Sequence, residues 1–173
     1  MPLPHRVLDE TNNGRYQTVR TGVRLGVDVG SVRIGVARSD PGGLLASPLD
    51  TVRRGAGDLA ELAELVAGHA AVEVVVGLAV GLAGREGKAA AQGRAFAQAL
   101  AARVAPVPVR LVDERFTTVL AHSALQQGGH DSRARRESVD KAAAALLLQG
   151  ALDAERSTGQ PAGQLVPPGG KAQ

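Results

Sequence analysis

Short apolar runs alternate with amphipathic stretches from about Arg24 to Asp153. Arg24 to Val29 reads as a strand, a turn at Gly30 and Ser31 follows, and Ile34 to Arg38 reads as a second strand. After the turn Asp40 to Gly43, the run Leu44 to Val52 supplies a third, so three strands joined by tight turns predict an antiparallel meander. Asp58 and Glu61 then have the spacing of a capping box, with Leu59, Leu62, Leu65 and Val66 behind them on one helical face. Val72 to Val76 is the β-branched run of a buried parallel strand, and Lys88 to Val104 is an Ala-rich helix carrying Phe96, Leu100 and Val104. Val107 to Val112 repeats the strand pattern. Thr117 or Thr118 can cap a helix to about Gln127, and Ser138 a last helix to about Asp153 that is apolar nearly all round.

Three hairpin strands followed by strands alternating with helices predict an α/β fold: a mixed five-stranded sheet, antiparallel then parallel, with helices on both faces. That element order matches the ribonuclease H-like architecture. A chain of 173 residues with 44% apolar content can bury one core of this kind. Residues 1–22 are polar and aperiodic and predict a flexible N-terminal segment, residues 23–155 the folded domain, and the Gly-, Pro-, Ser- and Gln-rich residues 156–173 a disordered tail.

Composition narrows the chemistry. With no cysteine, disulfides, thiolate metal sites and a cysteine nucleophile are excluded. The first twenty residues hold Asp9, Glu10, Asn12 and Asn13 where a signal peptide needs an apolar stretch, so the expected setting is the cytoplasm, away from any membrane. Tyr16, Phe96 and Phe116 are the whole aromatic complement, too few for base-stacking platforms. The net charge of +3 permits a polyanionic partner, which would be held through its phosphates.

Three acidic positions stand out. Asp28 interrupts an apolar strand, where an unpaired buried carboxylate is costly. It is either a cap of its own turn or a metal ligand at a strand end, and Gly26, Gly30 and Gly35 would let a phosphate backbone come close. Asp113 and Glu114 follow a buried strand, where open α/β sheets place ligands. Neighbours on an extended chain face opposite ways, so only one can point toward Asp28, and a solvated acidic turn with Arg115 explains the pair equally well. Asp140 falls in the first turn expected for the last helix, where it would offset the helix dipole or, if that helix is inside, meet the strand-end carboxylates. Three carboxylates so gathered suit Mg2+ or Mn2+, and two such ions about 4 Å apart can activate water for phosphodiester cleavage with no protein nucleophile. His5, His69, His122 and His130 show no ligand spacing. Basic residues at Arg133, Arg135 and Arg136, and at Arg85 and Lys88, are candidate phosphate contacts.

Taken together, the run Leu25 to Pro41 around Asp28 and Arg33, the strand end Val75 to Leu78, the run Val112 to Thr118, and Val139 to Ala144 around Asp140 and Lys141 resemble the YqgF/RuvX family of pre-16S rRNA nucleases and Holliday-junction-resolvase-like proteins. The resemblance spans about residues 24 to 153. It implies a ribonuclease H-like nuclease and an acidic triad at Asp28, Glu114 and Asp140, with the glutamate taking the place that spacing left open between Asp113 and Glu114. Arg33, Arg115, Thr118 and Lys141 fall within the matching motifs and, with Arg133, Arg135 and Arg136, would bind substrate. One loop departs: where the family has a proline and a polar residue, this chain reads Ala79, Val80, Gly81, Leu82, Ala83.

The resemblance implies processing of the 5′ end of pre-16S rRNA, with resolution of branched DNA as the alternative and a non-catalytic nucleic-acid-binding module as a third reading. An Asp-x-Gly turn also opens actin-like ATPases, but those need a second lobe and a second such turn, which this chain lacks. Two active sites in a homodimer would suit a symmetric junction, and without cysteine such a dimer is non-covalent.

Overall fold

The computed structural model describes residues 6–7, 17–18, 20–78, 87–113 and 133–169. In chain order the elements are β1 (Arg6–Val7), β2 (Gln17–Thr18), β3 (Arg24–Val29), β4 (Arg33–Ser39), β5 (Ala46–Arg53), α1 (Asp58–Gly68), β6 (Glu73–Leu78), α2 (Lys88–Val104), β7 (Val109–Asp113), α3 (Arg133–Thr158) and β8 (Gln164–Val166). β1 and β2 form a small antiparallel ladder of their own. The others make one sheet of six strands in the order β5-β4-β3-β6-β7-β8. The hairpin strands β3, β4 and β5 are antiparallel, β3, β6 and β7 are parallel, and β8 returns antiparallel along β7.

Strand alternation divides the side chains between two layers. Leu25, Val27, Ile34, Val36, Val74 and Val76 face one way, into a core closed by Leu62 and Val66 of α1 and by Phe96, Ala97 and Leu100 of α2. Ala37 and Val75 face the other way, onto Ala144, Leu148, Ala151 and Leu152 of α3. Small residues on this second face let α3 lie close. A side chain at Gly26 would meet the Leu148 Cβ at 2.7 Å, and one at Gly35 would collide with the Asp140 carbonyl oxygen. α3 runs along the sheet over β4. Its Glu137 carbonyl accepts from Thr51 Oγ1 at 3.2 Å near the end of β5, and Gln149 accepts from the Ala46 N–H at 2.8 Å near its start. We call the end of the sheet where β3 stops and β4 begins its head, and the opposite end its foot.

The structure changes several expectations. The sheet has six strands because Gln164–Val166, expected in a disordered tail, pairs with β7. α3 also continues past Asp153 to Thr158, its Glu155 tied into the foot. It is already helical at Arg133, so Ser138 lies inside the helix and caps nothing. Only one stripe of α3 is buried, Ala144, Leu147, Leu148, Ala151, Leu152 and Glu155, where a helix apolar nearly all round was expected; its other charged residues occupy the remaining faces and its first turns. No capping box forms at α1. The residue before the helix is Gly57, at φ 93°, and the Asp58 carboxylate instead accepts from the N–H groups of Leu59 and Gly55 and pairs with Arg54. The N-terminal segment is anchored at its end, where Arg20 bonds Glu73 and Glu155. The helix expected from Thr117 or Thr118 to about Gln127 and the departing loop at Ala79 to Ala83 lie outside the described residues. Among those residues no helix is long and apolar enough to cross a membrane.

Candidate nuclease site

Asp28 is the next-to-last residue of β3 and lies on the face that α3 covers, two residues beyond Gly26. Its ladder partner is Gly35. Because Gly35 has no side chain, the backbone of α3 at Asp140 packs directly over it, so the sheet brings Asp28 and Asp140 to adjoining positions at the head. The turn after β3 is closed by the Gly30 N–H donating to the Arg33 carbonyl at 2.9 Å. Asp28 takes no part in that turn, and among the described residues no donor reaches its half-buried carboxylate. The turn-cap explanation therefore fails.

Asp140 sits seven residues after Arg133, about two turns inside α3, where the unsatisfied N–H groups of a helix start are no longer near. The dipole explanation fails with it. The Asp140 carboxylate instead accepts from Arg33 Nε at 2.7 Å, both side chains about three-quarters buried. Arg33 stands on β4 two residues before Gly35, hence on the same face.

At the end of β7, Val112 packs with the α3 layer and Leu111 with the opposite core. Alternation then puts Asp113 on the face away from α3, so Asp113 is not the residue that joins Asp28. Glu114, Arg115 and Thr118 lie outside the described residues. Arg133, Arg135 and Arg136 are exposed in the first turn of α3, Arg133 reaching Glu137 at 3.2 Å, and Lys141 is half-buried beside Asp140. Lys88 is exposed at the start of α2, on the other side of the sheet from α3. Two of the glycines do a different job from the one expected: α3 fills the space at Gly26, through Leu148 Cβ and the Ala144 carbonyl, and at Gly35, through the Asp140 carbonyl, while Gly30 is exposed in its turn.

Among the described residues no group of three metal-ligating side chains is assembled, and the third expected ligand is not among them. The donors that are described fit a hard cation in kind. They are carboxylate oxygens, one without a partner and one held by a single arginine. A cavity of about 480 Å³ between α3 and the β7–β8 edge, lined mainly by Val112, Leu147, Ala151 and Ala162, includes neither Asp28 nor Asp140 and is too apolar for this chemistry.

A family model described as RuvX, Holliday junction resolvase, matches residues 22–154. The chain belongs to the RuvX family. A protein of Nocardioides sp. named "Putative pre-16S rRNA nuclease" is 58% identical over 153 residues, covering 86% of this chain and 98% of its own. A protein of Thermobifida fusca with the same name is 57% identical over 155 residues, at the same coverage. In fold, the chain resembles the solved structure of Thermus thermophilus RuvC in complex with a Holliday junction substrate. The TM-score is 0.51 at 20% identity, over 82% of this chain and 99% of that one. The RuvC likeness agrees with the ribonuclease H-like architecture expected from element order.

Residues that sequence reasoning passed over are the charges at the foot of the same face. Glu73 accepts from Arg20 at 3.0 Å through two nitrogens and from Arg110 Nε at 3.0 Å, while Glu155 accepts from Arg20 at 2.7 and 2.9 Å and lies 3.5 Å from Arg24. Burial pushes the Glu155 carboxyl up, but the hydrogen bonds and charge of Arg20, with Arg24, outweigh it and hold the group below its ordinary range. Burial draws the Arg24 guanidinium down. The available signals were a glutamate opening an apolar strand, and Glu155 falling four residues after Ala151 on the buried stripe.

Proposed function

We propose that this chain is a metal-dependent endonuclease that hydrolyses phosphodiester bonds and trims the 5′ end of pre-16S rRNA, with Asp28, Glu114 and Asp140 as its metal-binding carboxylates. The observation that carries the reading is Asp28 itself: a half-buried carboxylate without a partner among the described residues, register-paired with Gly35 and thereby next to Asp140. Holding a half-buried carboxylate there without a donor costs free energy that a bound cation would offset. Divalent magnesium or manganese, when bound, would supply activation of water and stabilisation of the leaving oxygen. The chain's own residues hold the carboxylates in place: the Gly35 contact sets the distance of α3 from the sheet, and Arg33 orients Asp140. Arg33, Arg115, Thr118, Arg133, Arg135, Arg136 and Lys141 are the proposed substrate contacts. The names carried by relatives more than half identical to this chain support the rRNA substrate.

A second reading, resolution of branched DNA by a non-covalent homodimer, is favoured by the family description. Purified protein incubated with a 5′-extended 16S precursor and with a four-way DNA junction, with and without Mg2+ or Mn2+, separates the two. Asp28→Asn is expected to lose cleavage by roughly a thousandfold or more while staying folded. Unchanged cleavage by that variant would remove Asp28 from the site.

A further inference from the structure

We propose that Arg53, at the end of edge strand β5, binds a phosphate of the nucleic-acid backbone and that, with Arg33, it grips the strand where it crosses the head of the sheet. The inference rests on the nuclease reading and extends it to a residue outside every motif.

Arg33 and Arg53 are direct ladder partners. The Arg54 N–H donates to the Val32 carbonyl at 2.9 Å, which makes their position a non-hydrogen-bonded pair, the kind in which Cα atoms approach to about 4.5 Å and side chains lie closest. Like charges directly opposite one another destabilise a hairpin. Arg33 is neutralised by Asp140, but Arg53 is exposed and has no hydrogen bond or ion pair among the described residues. Most described arginines are otherwise matched, among them Arg20, Arg24 and Arg110 with glutamates at the foot and Arg54 with Asp58. An exposed cation directly opposite another arginine, on a well-formed strand, is a place where an outside anion would be stabilising.

The geometry places that anion. Arg53 shares its face with Thr51, the β5 residue that touches Glu137 of α3. From that contact, two strand residues climb about 7 Å to Arg53. Four helix residues climb about 6 Å to Arg133. Arg33, Arg53 and Arg133 thus stand around the head of the sheet, bordering Asp28 and Asp140, and among the described residues Arg133 is offset by Glu137. An oxyanion lodged there would meet guanidinium groups whose planar donor forks match phosphate. A polymer crossing the sheet edge at β5 supplies such oxyanions at every residue.

The test is binding in EDTA, without cleavage, to a fluorescent four-way junction and to a 5′-extended 16S precursor, across a salt series. Arg53→Ala is expected to weaken both roughly three- to tenfold near 0.1 M salt and to reduce the log–log salt slope by about 1. Arg53→Lys should restore most of the affinity. Arg103→Ala, which removes an exposed arginine from α2 beyond the opposite face, should bind as wild type. The thermal midpoint of Arg53→Ala should equal or exceed that of wild type, because a like-charge pair has been relieved. Wild-type affinity and slope in Arg53→Ala, an equal loss in Arg103→Ala, or a lowered midpoint that Arg53→Lys fails to restore would each overturn the proposal. Wild-type protein that binds neither probe would overturn the nuclease reading itself, whereas retained cleavage by Asp28→Asn would leave the Arg53 result standing.

Discussion

At the foot of the face beneath α3, Glu73 and Glu155 are shared among three arginines; at its head, among the described residues, Arg33 pairs with Asp140 and no donor reaches Asp28. Between the two ends the face is apolar, with Ala37 and Val75 against Ala144, Leu148 and Leu152. The same helix therefore covers two sets of carboxylates in opposite electrostatic condition. Buried charge that is fully partnered holds structure in place: Arg20, Arg24 and Arg110 lock β3, β6, β7 and the end of α3 to the N-terminal segment. Carboxylate left short of partners at a strand end is what a cation site requires, and among the described residues Asp28 is such a group, at the head where α3 crosses β3 and β4.

The comparison is broken most forcefully at the foot. Glu155→Gln leaves Arg20 and Arg24 short of a counter-charge and is expected to cost about 3–5 kcal/mol in urea unfolding, while metal-dependent cleavage per folded molecule stays at the wild-type level. A loss of cleavage equal to that of a head variant, with stability intact, would erase the distinction. Gly35→Ala strikes the head through packing. The added methyl must push Asp140 off the sheet, costing about 1–3 kcal/mol and lowering cleavage as well. A stable, fully active Gly35→Ala protein would mean that the close approach does not set the site.

Acid sharpens the same contrast. The folded protein holds Glu155 below its ordinary value of 4.5, so its stabilising contribution is complete above that pH and is lost as pH falls through the lower folded value. Asp40 behaves alike: burial opposes ionisation, but the N–H groups of Leu45, Leu44 and Gly42 at 2.7, 2.8 and 2.9 Å hold it below 3.8. Urea unfolding between pH 6 and pH 3 should therefore show stability falling below about pH 4.5, with a shallower fall in Glu155→Gln. An identical slope in both proteins would contradict the foot's role. The smallest effect is expected at Arg133→Ala, whose exposed pair with Glu137 contributes within about 0.5 kcal/mol, so a larger loss of stability there would show that the overhanging turn of α3 is structurally coupled.

Much of this was legible in the sequence, and the failures have physical causes. β3 and α2 were read to the residue because apolar periodicity and burial coincide there. The start of α3 was missed because Arg133, Arg135, Arg136 and Glu137 carry no apolar signal, although such residues favour helix. β8 was missed because three residues among glycines and prolines show no alternation, and their strand conformation comes from pairing with distant β7. At the site, Asp28 was identifiable as a charge in an apolar strand. Its adjacency to Asp140 was expected, but the cause was not, since it depends on Gly35 serving as the floor for helix backbone, a position that sequence reasoning had given to phosphate. Arg53 drew no attention in the sequence, because only the ladder register sets it opposite Arg33.

The central claim, that the Asp28 carboxylate lacks a donor among the described residues because a cation completes the site, is tested most directly by the thermal midpoint of wild type and Asp28→Asn with and without Mn2+. A ligand that binds only the folded state raises that midpoint. The account predicts that metal raises the midpoint of wild type and not that of Asp28→Asn, and that without metal the variant melts no lower than wild type because a half-buried unpaired charge has been removed. A metal-induced rise that survives in Asp28→Asn, or a metal-free midpoint that drops as in Glu155→Gln, would contradict it.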